Sequence, residues 1–210
     1  MTREILLVPH ANREQNLQAT SRAAELLQDA GITVRVCADE KVLPGLKHVP
    51  HTEDAASGCE LVLVLGGDGT FLRAADMARS VDIPVLGINL GHVGFLAEWE
   101  VESLDQALVR VIDKRYRIED RLTIDVTIFD EEGTLLNRSW ALNEASVENQ
   151  NRSGVLDAIL EVDRRPVSSF GCDGVLISTP TGSTAYAFSA GGPVLWPSLD
   201  AILVCLLYTS

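Results

Sequence analysis

The sequence predicts an α/β N-terminal domain built on a parallel sheet over residues 1–117, followed by a mostly β, sandwich-like C-terminal domain over residues 118–210. Two observations carry this expectation. Up to about residue 115, short continuous apolar runs alternate with amphipathic helical stretches, the signature of strands buried on both faces and covered by helices. Beyond Arg117 the pattern becomes a strict apolar/polar alternation punctuated by turn residues. With 46% hydrophobic and 22% charged residues in 210, the chain has the composition of a globular protein with a substantial core.

Taken in order, Glu4–Pro9 reads as a strand, followed by a helix from about Arg13 to Ala30 with Leu17, Ala23, Ala24 and Leu27 on one face. Gly31 stands where a C-cap belongs, and Ile32–Cys37 reads as the second strand. Ala38–Gly58, with little periodicity, reads as a loop with room for one turn of helix. Leu61–Leu65 is a buried strand, Phe71–Arg79 a helix, Ile83–Ile88 another buried strand and Leu104–Ile112 a further amphipathic helix.

In the second half, Leu122, Ile124, Val126 and Ile128 alternate with more polar residues, Asp130–Gly133 turns, and Leu135–Leu142 returns as an antiparallel partner. Leu156, Ala158, Leu160 and Val162 form a second alternating run, which the turn-like Asp163–Pro166 joins to another short strand.

Charge and cysteine usage narrow the function classes. Seventeen basic against thirty acidic residues give a net charge of −13 without a Lys/Arg cluster, so nucleic acid and anionic membranes are not expected partners. A nucleotide bound by such a chain needs helix N-termini, local donors or a divalent cation. The four cysteines stand apart without zinc-finger spacing, and Ile5–Val8 is too short for a signal-peptide core, which together predict buried thiols and a cytoplasmic protein.

Four segments carry chemistry. Gly66-Gly67-Asp68-Gly69-Thr70 follows a buried strand and opens a helix, where open α/β sheets bind ligands. Its glycines admit a phosphate to the backbone, and Asp68 is the candidate general base; the other reading is a tight turn with Asp68 as N-cap. Asn89–Leu96, directly after a strand, is either a second ligand-facing loop or a structural one. Asn143-Glu144 could hold ribose hydroxyls or an adenine edge, or could bond to a neighbouring turn. The longest segment, Gly171–Tyr186, leads a strand into a hydroxyl-rich turn around Pro180 and Gly182. Its Ser and Thr hydroxyls and free N–H groups suggest an anion-receptive nest, with Asp173 and Tyr186 able to bind hydroxyl and aromatic groups.

In this order the segments GGDGT, NxGxxGFL, Asn-Glu and DGxxxSTPTGSTAY, followed by Ser189–Pro193, resemble the NAD kinase family over roughly Ile5–Val204. The resemblance implies transfer of the terminal phosphate of ATP or polyphosphate to the 2′-hydroxyl of the adenosine ribose of NAD, with magnesium accompanying the donor. It implies Asp68 as proton acceptor, Gly69 and Arg73 in the same nucleotide site, and the Gly66, Gly67 and Thr70 backbone facing phosphates. Asn143, Glu144, Asp173, Thr184, Ala185, Tyr186 and Ser189 are implied to contact the dinucleotide, in a homo-oligomer, dimer or tetramer. A non-catalytic NAD(P)-binding module would share the grip without the chemistry, and a diacylglycerol or lipid kinase would share the GGDGT loop but not the STPTGSTAY segment. Family members continue past the point where this chain stops at Ser210, and Cys205–Ser210 departs from their pattern after Val204, so the β domain is expected to be incomplete with exposed strand edges.

Overall fold

In a computed structural model, residues 2–10, 14–37, 45–89, 99–100, 103–149 and 155–208 are described. They form two compact units, Met1–Ile118 and Glu119–Ser210.

The first unit is a six-stranded sheet, parallel throughout. Its strands are β1 (Glu4–Pro9), β2 (Thr33–Cys37), β3 (Lys47–Val49), β4 (Leu61–Leu65), β5 (Val85–Asn89) and β6 (Trp99–Glu100), in the order β3-β2-β1-β4-β5-β6. Every residue of β4 is buried, which explains its unbroken apolar run. The side chains divide by the period of two. Ile5, Leu7, Leu61, Leu63 and Leu65 pack with helices α1 (Glu14–Asp29) and α3 (Leu104–Ile112) on one face. Leu6, Val8, Val62 and Val64 pack with α2 (Asp68–Arg79) and the 55–59 segment on the other. Arg3 ties the far end of this layer together, donating to the carbonyls of Ile112 (2.7 Å) and Val111 (2.9 Å) and pairing with Glu60 at 2.6 Å.

Two expectations need correction here, and a third falls outside the described residues. Leu17 lies on an exposed part of α1, whereas Ala23, Ala24 and Leu27 are buried as expected. Within the segment expected to be loop, residues 38–44 fall outside the described part, but Lys47–Val49 pairs with β2 as an edge strand. The second glycine loop lies at 90–98, outside the described residues, with only Asn89 seen at the end of β5.

The second unit is antiparallel. Strands β7 (Ile124–Phe129) and β8 (Leu135–Ala141) form a hairpin whose turn is held by Asp130 Oδ1, which accepts the N–H groups of Glu132 and Thr134. Strands β10 (Leu156–Val162) and β11 (Arg165–Cys172) form another. Its connection is just Asp163-Arg164, both with positive φ (51° and 63°), the backbone of a two-residue turn matched to strand twist, so the turn is tighter than the four residues expected. Strands β9 (Glu144–Glu148), β12 (Gly174–Ser178) and β13 (Leu203–Leu207) make a three-stranded sheet in the order β13-β12-β9. After β12 the chain runs through a 3-10 turn, Thr181–Thr184, into the one-turn helix α4 (Tyr186–Ser189).

Candidate functional site

In the first unit the strand order reverses between β1 and β4, and chain ends that diverge at such a point leave a crevice beyond the carboxyl edge of the sheet. The Gly66–Thr70 loop leaves β4 there. Beside it, His10 N–H donates to Leu65 O (2.9 Å) and Arg73 Nη2 to Pro9 O (3.1 Å), so the ends of β1 and β4 are bound to one another and to α2. A Cβ on Gly66 would lie 2.8 Å from Thr70 Oγ1 and 3.0 Å from His10 Cβ, so close packing requires glycine at that position. Gly67 and Gly69 differ: a Cβ on either would meet nothing within 4 Å. The backbone there faces open space that a ligand can approach.

Asp68 is the first residue of α2 and not its cap. Gly67 occupies the N-cap position, in extended backbone, and has no side chain with which to cap the first turn. The capping reading of Asp68 is thereby corrected. A helix start without a side-chain cap presents N–H groups that suit an anion, and the carboxylate of Asp68 is favourably placed in the same positive end.

In the second unit, Asn143 and Glu144 sit where β9 begins, opposite the end of β12 in the pair Glu144–Ser178. Asn143 Oδ1 and Glu144 Oε2 are buried with no hydrogen-bond partner. An orphaned buried acceptor is costly, and two side by side form a cradle for donors from outside the chain. Burial pushes the Glu144 carboxyl above the usual carboxylate range, opposed by the backbone N–H of Tyr186. That contact brings the start of α4 against the dipeptide; Thr184 and Ala185 precede it, and the Tyr186 ring is exposed.

The hydroxyl-rich turn departs from the expected anion nest. Ser178, Thr179 and Ser183 are fully buried. The Thr179 hydroxyl donates to Leu142 O (2.6 Å) and accepts Gly182 N–H (3.0 Å), and Ser183 Oγ donates to Pro180 O (2.7 Å) and accepts Leu195 N–H (2.8 Å). Thr184 Oγ1 donates to Thr181 O. These groups are engaged with the backbone of their own unit because a buried hydroxyl must be satisfied, and the nearest acceptors are local carbonyls. The sequence signal for this scaffold was present in the Ser-Thr-Pro-Thr-Gly-Ser-Thr run, but residue type does not reveal which hydroxyls are consumed.

Asp173 is not brought to this corner. It precedes β12, its N–H bonding to Leu207 O and its carbonyl to Asn149 N–H, whereas Glu144 pairs at the other end of that strand. The separation is five strand steps, about 17 Å. Ser189 ends α4 in an exposed position, its N–H donating to Ala185 O.

Residues 5–116 match the ATP-NAD kinase N-terminal domain and residues 142–209 the ATP-NAD kinase C-terminal domain. The chain is 67% identical over 210 residues to an NAD kinase of Corynebacterium efficiens and 63% identical over 210 residues to one of Corynebacterium diphtheriae. Each alignment covers 96% of this chain and 66% of the relative, so the chain spans just under two thirds of those relatives' length. Among solved structures it is similar to yeast NADH kinase complexed with NADH, with a TM-score of 0.87 at 23% identity over 99% of this chain and 66% of that one. It is also similar to an NAD kinase from Archaeoglobus fulgidus in complex with ATP, with a TM-score of 0.67 at 24% identity over 99% of this chain and 72% of that one. These two likenesses establish a shared fold.

Proposed function

We propose, since the chain belongs to the ATP-NAD kinase family, that it transfers the terminal phosphate of ATP or of polyphosphate to the 2′-hydroxyl of the adenosine ribose of NAD, giving NADP. The observation that carries this reading is the buried pair of unpartnered acceptors, Asn143 Oδ1 and Glu144 Oε2. Ribose hydroxyls and an adenine amino group are donors of the kind that such a pair lacks. The relatives' structures with NADH and with ATP fit a site for two substrates.

In this reading the first unit handles the donor and the second grips the dinucleotide. The N–H groups at the start of α2 and the open backbone of Gly67 and Gly69 receive phosphate, with Gly66 and Thr70 shaping the loop and Arg73 bracing it. Asp68 accepts the proton of the ribose hydroxyl as its oxygen attacks phosphorus, and Thr184, Ala185, Tyr186 and Ser189 line the dinucleotide, with Asp173 left to contact it from the far end of β12. Phosphoryl transfer asks mainly for alignment and charge neutralisation, and one carboxylate beside a helix start suits that demand.

Among the described residues no cluster of three or more His, Cys, Asp or Glu could hold a metal. In this reading magnesium is carried by the donor's phosphates, with Asp68 the nearby carboxylate. Bound there, magnesium would neutralise charge on the leaving phosphate.

The four free cysteines suit a cytoplasmic location, and the exposed apolar side chains of the second unit suit a homo-oligomer, dimer or tetramer.

The test is NADP formation from NAD and Mg-ATP by the wild-type chain and by Asp68→Asn. Loss of a general base is expected to lower kcat by about 10²–10⁴-fold with NAD binding kept. A variant within a few-fold of wild type would remove Asp68 from the chemistry, and a folded wild-type chain that forms no NADP would overturn the assignment.

A further inference from the structure

We propose that Thr179 is a positioning residue, whose hydroxyl latches the Asn143-Glu144 dipeptide in the orientation that receives the dinucleotide; this rests on the reading above. The latch is visible in the backbone on both sides of the dipeptide. Thr179 Oγ1 donates to Leu142 O at 2.6 Å, fixing the residue before Asn143, and Thr179 N–H donates to Asn143 O at 2.8 Å. One residue therefore holds two successive carbonyls. The same hydroxyl accepts Gly182 N–H at 3.0 Å, which draws the following turn back over the dipeptide.

Gly182 closes the arrangement by contact. A Cβ built on it would lie 2.0 Å from Asn143 O and 2.4 Å from Asn143 C, so the turn rests directly on the Asn143 peptide. From that turn the chain proceeds to Tyr186, whose N–H meets the Glu144 carboxylate.

The consequence is a division of labour within the dipeptide. The Asn143 carbonyl accepts from Thr179 N–H and Ser178 Oγ and packs under Gly182, while Asn143 Oδ1 and Glu144 Oε2 remain buried and unpaired. Two buried acceptors without partners persist only where the surrounding structure prevents them from relaxing toward local donors. Thr179 is itself fully buried in the interior of its unit, with its hydroxyl doubly used, so it acts through the dipeptide and touches no substrate.

Thr179→Val keeps the side-chain shape and removes the hydroxyl; Thr179→Ser keeps the hydroxyl and removes the methyl. The proposal expects Thr179→Val to bind NAD about tenfold more weakly or worse by calorimetry, with the KM for ATP within about twofold of wild type, and Thr179→Ser to regain wild-type affinity. Unchanged NAD affinity in a folded Thr179→Val chain would overturn it, as would an equal loss for NAD and ATP. If Thr179→Val does not fold, Thr179→Ser decides: wild-type NAD affinity supports the hydroxyl latch, and a tenfold loss overturns it by assigning the role to the methyl. A wild-type chain that binds NAD but forms no NADP refutes the transferase reading while leaving the latch to be judged on binding.

Discussion

At Glu144 one carboxylate oxygen is buried without a partner while the carboxylate accepts the Tyr186 N–H. Desolvation raises its pKa above that of an unfolded glutamate, so the folded state takes up a proton more readily than the unfolded one. A raised acid favours folding below the unfolded pKa and gives up that contribution as pH rises through the folded value. At neutral pH, in the absence of ligand, the charged Glu144 is therefore a cost. Glu144→Gln is expected to raise the thermal midpoint of the ligand-free chain at pH 7–8, with the difference from wild type vanishing below about pH 4, where an ordinary glutamate is protonated. The same variant should bind NAD more weakly, because a neutral amide makes a weaker hydrogen bond to ribose than a carboxylate does. Scanning calorimetry across pH, with and without NAD, checks both; a variant less stable than wild type at neutral pH would contradict the assignment. This residue was visible in the sequence only as half of a polar pair interrupting an apolar strand. Its orphaned oxygen depends on what packs around it, which no local pattern carries.

Elements differed in how far the sequence revealed them, and burial explains the difference. β4 was plain because both of its faces are covered, and α3 because Leu104, Ala107, Leu108 and Val111 make a continuous buried stripe. β3 was missed because it is three residues long, mostly exposed and paired only along one edge. The β10–β11 connection was placed too broadly because Arg164 is an uncommon residue at positive φ. The join between β1 and α3 was likewise unreadable, since Arg3 and its carbonyl partners lie more than a hundred residues apart. Arg3 is the only side chain spanning the carbonyls of Val111 and Ile112 and the Glu60 carboxylate in the described contacts, and it holds the Glu60 carboxyl below its usual range. Arg3→Ala is expected to destabilise the first unit by about 2 kcal/mol, by removing the side-chain donor of the Ile112 carbonyl and the nearer of the two cations on Glu60, while Val111 O keeps the Lys114 N–H. Urea unfolding followed through the first unit measures this, and a change below about 0.5 kcal/mol would show that α3 is held by its apolar stripe alone.

The whole molecule carries thirteen more negative than positive charges, yet the chemistry proposed for it needs two anionic substrates. The long-range field opposes their approach, while the attraction at the start of α2 acts over a single turn. Raising the salt from about 10 to 150 mM shortens the screening length from about 30 to 8 Å and weakens the repulsion more than the local contact. kcat/KM for Mg-ATP is therefore expected to rise over that range at fixed free magnesium, the reverse of a basic nucleotide-binding protein; a steady fall with salt would show that local attraction dominates. The units also differ in how they are held together. The first has two apolar clusters flanking its sheet, whereas the buried hydrophobics of the second, among the described residues, are Leu142, Cys172, Leu176 and Ala187. Its hairpins leave Phe129, Leu136, Ile159 and Val167 more than half exposed. Leu142 directly precedes the latched dipeptide and Ala187 lies in the helix that follows the turn, whereas Cys172 lies at the opposite end of β12.

The contact between Gly182 and the Asn143 peptide has a consequence for how such a site can change over generations or in a laboratory. Any side chain at position 182 would occupy the space of a neighbouring main-chain atom, so no sequence of single substitutions can pass through that position without first dismantling the grip. The exposed ring of Tyr186 and the exposed Ser189 carry no such restriction. Diversity in what the site accepts is therefore to be sought at these outward positions, with the Thr179–Gly182 corner kept as the invariant frame of a randomised library.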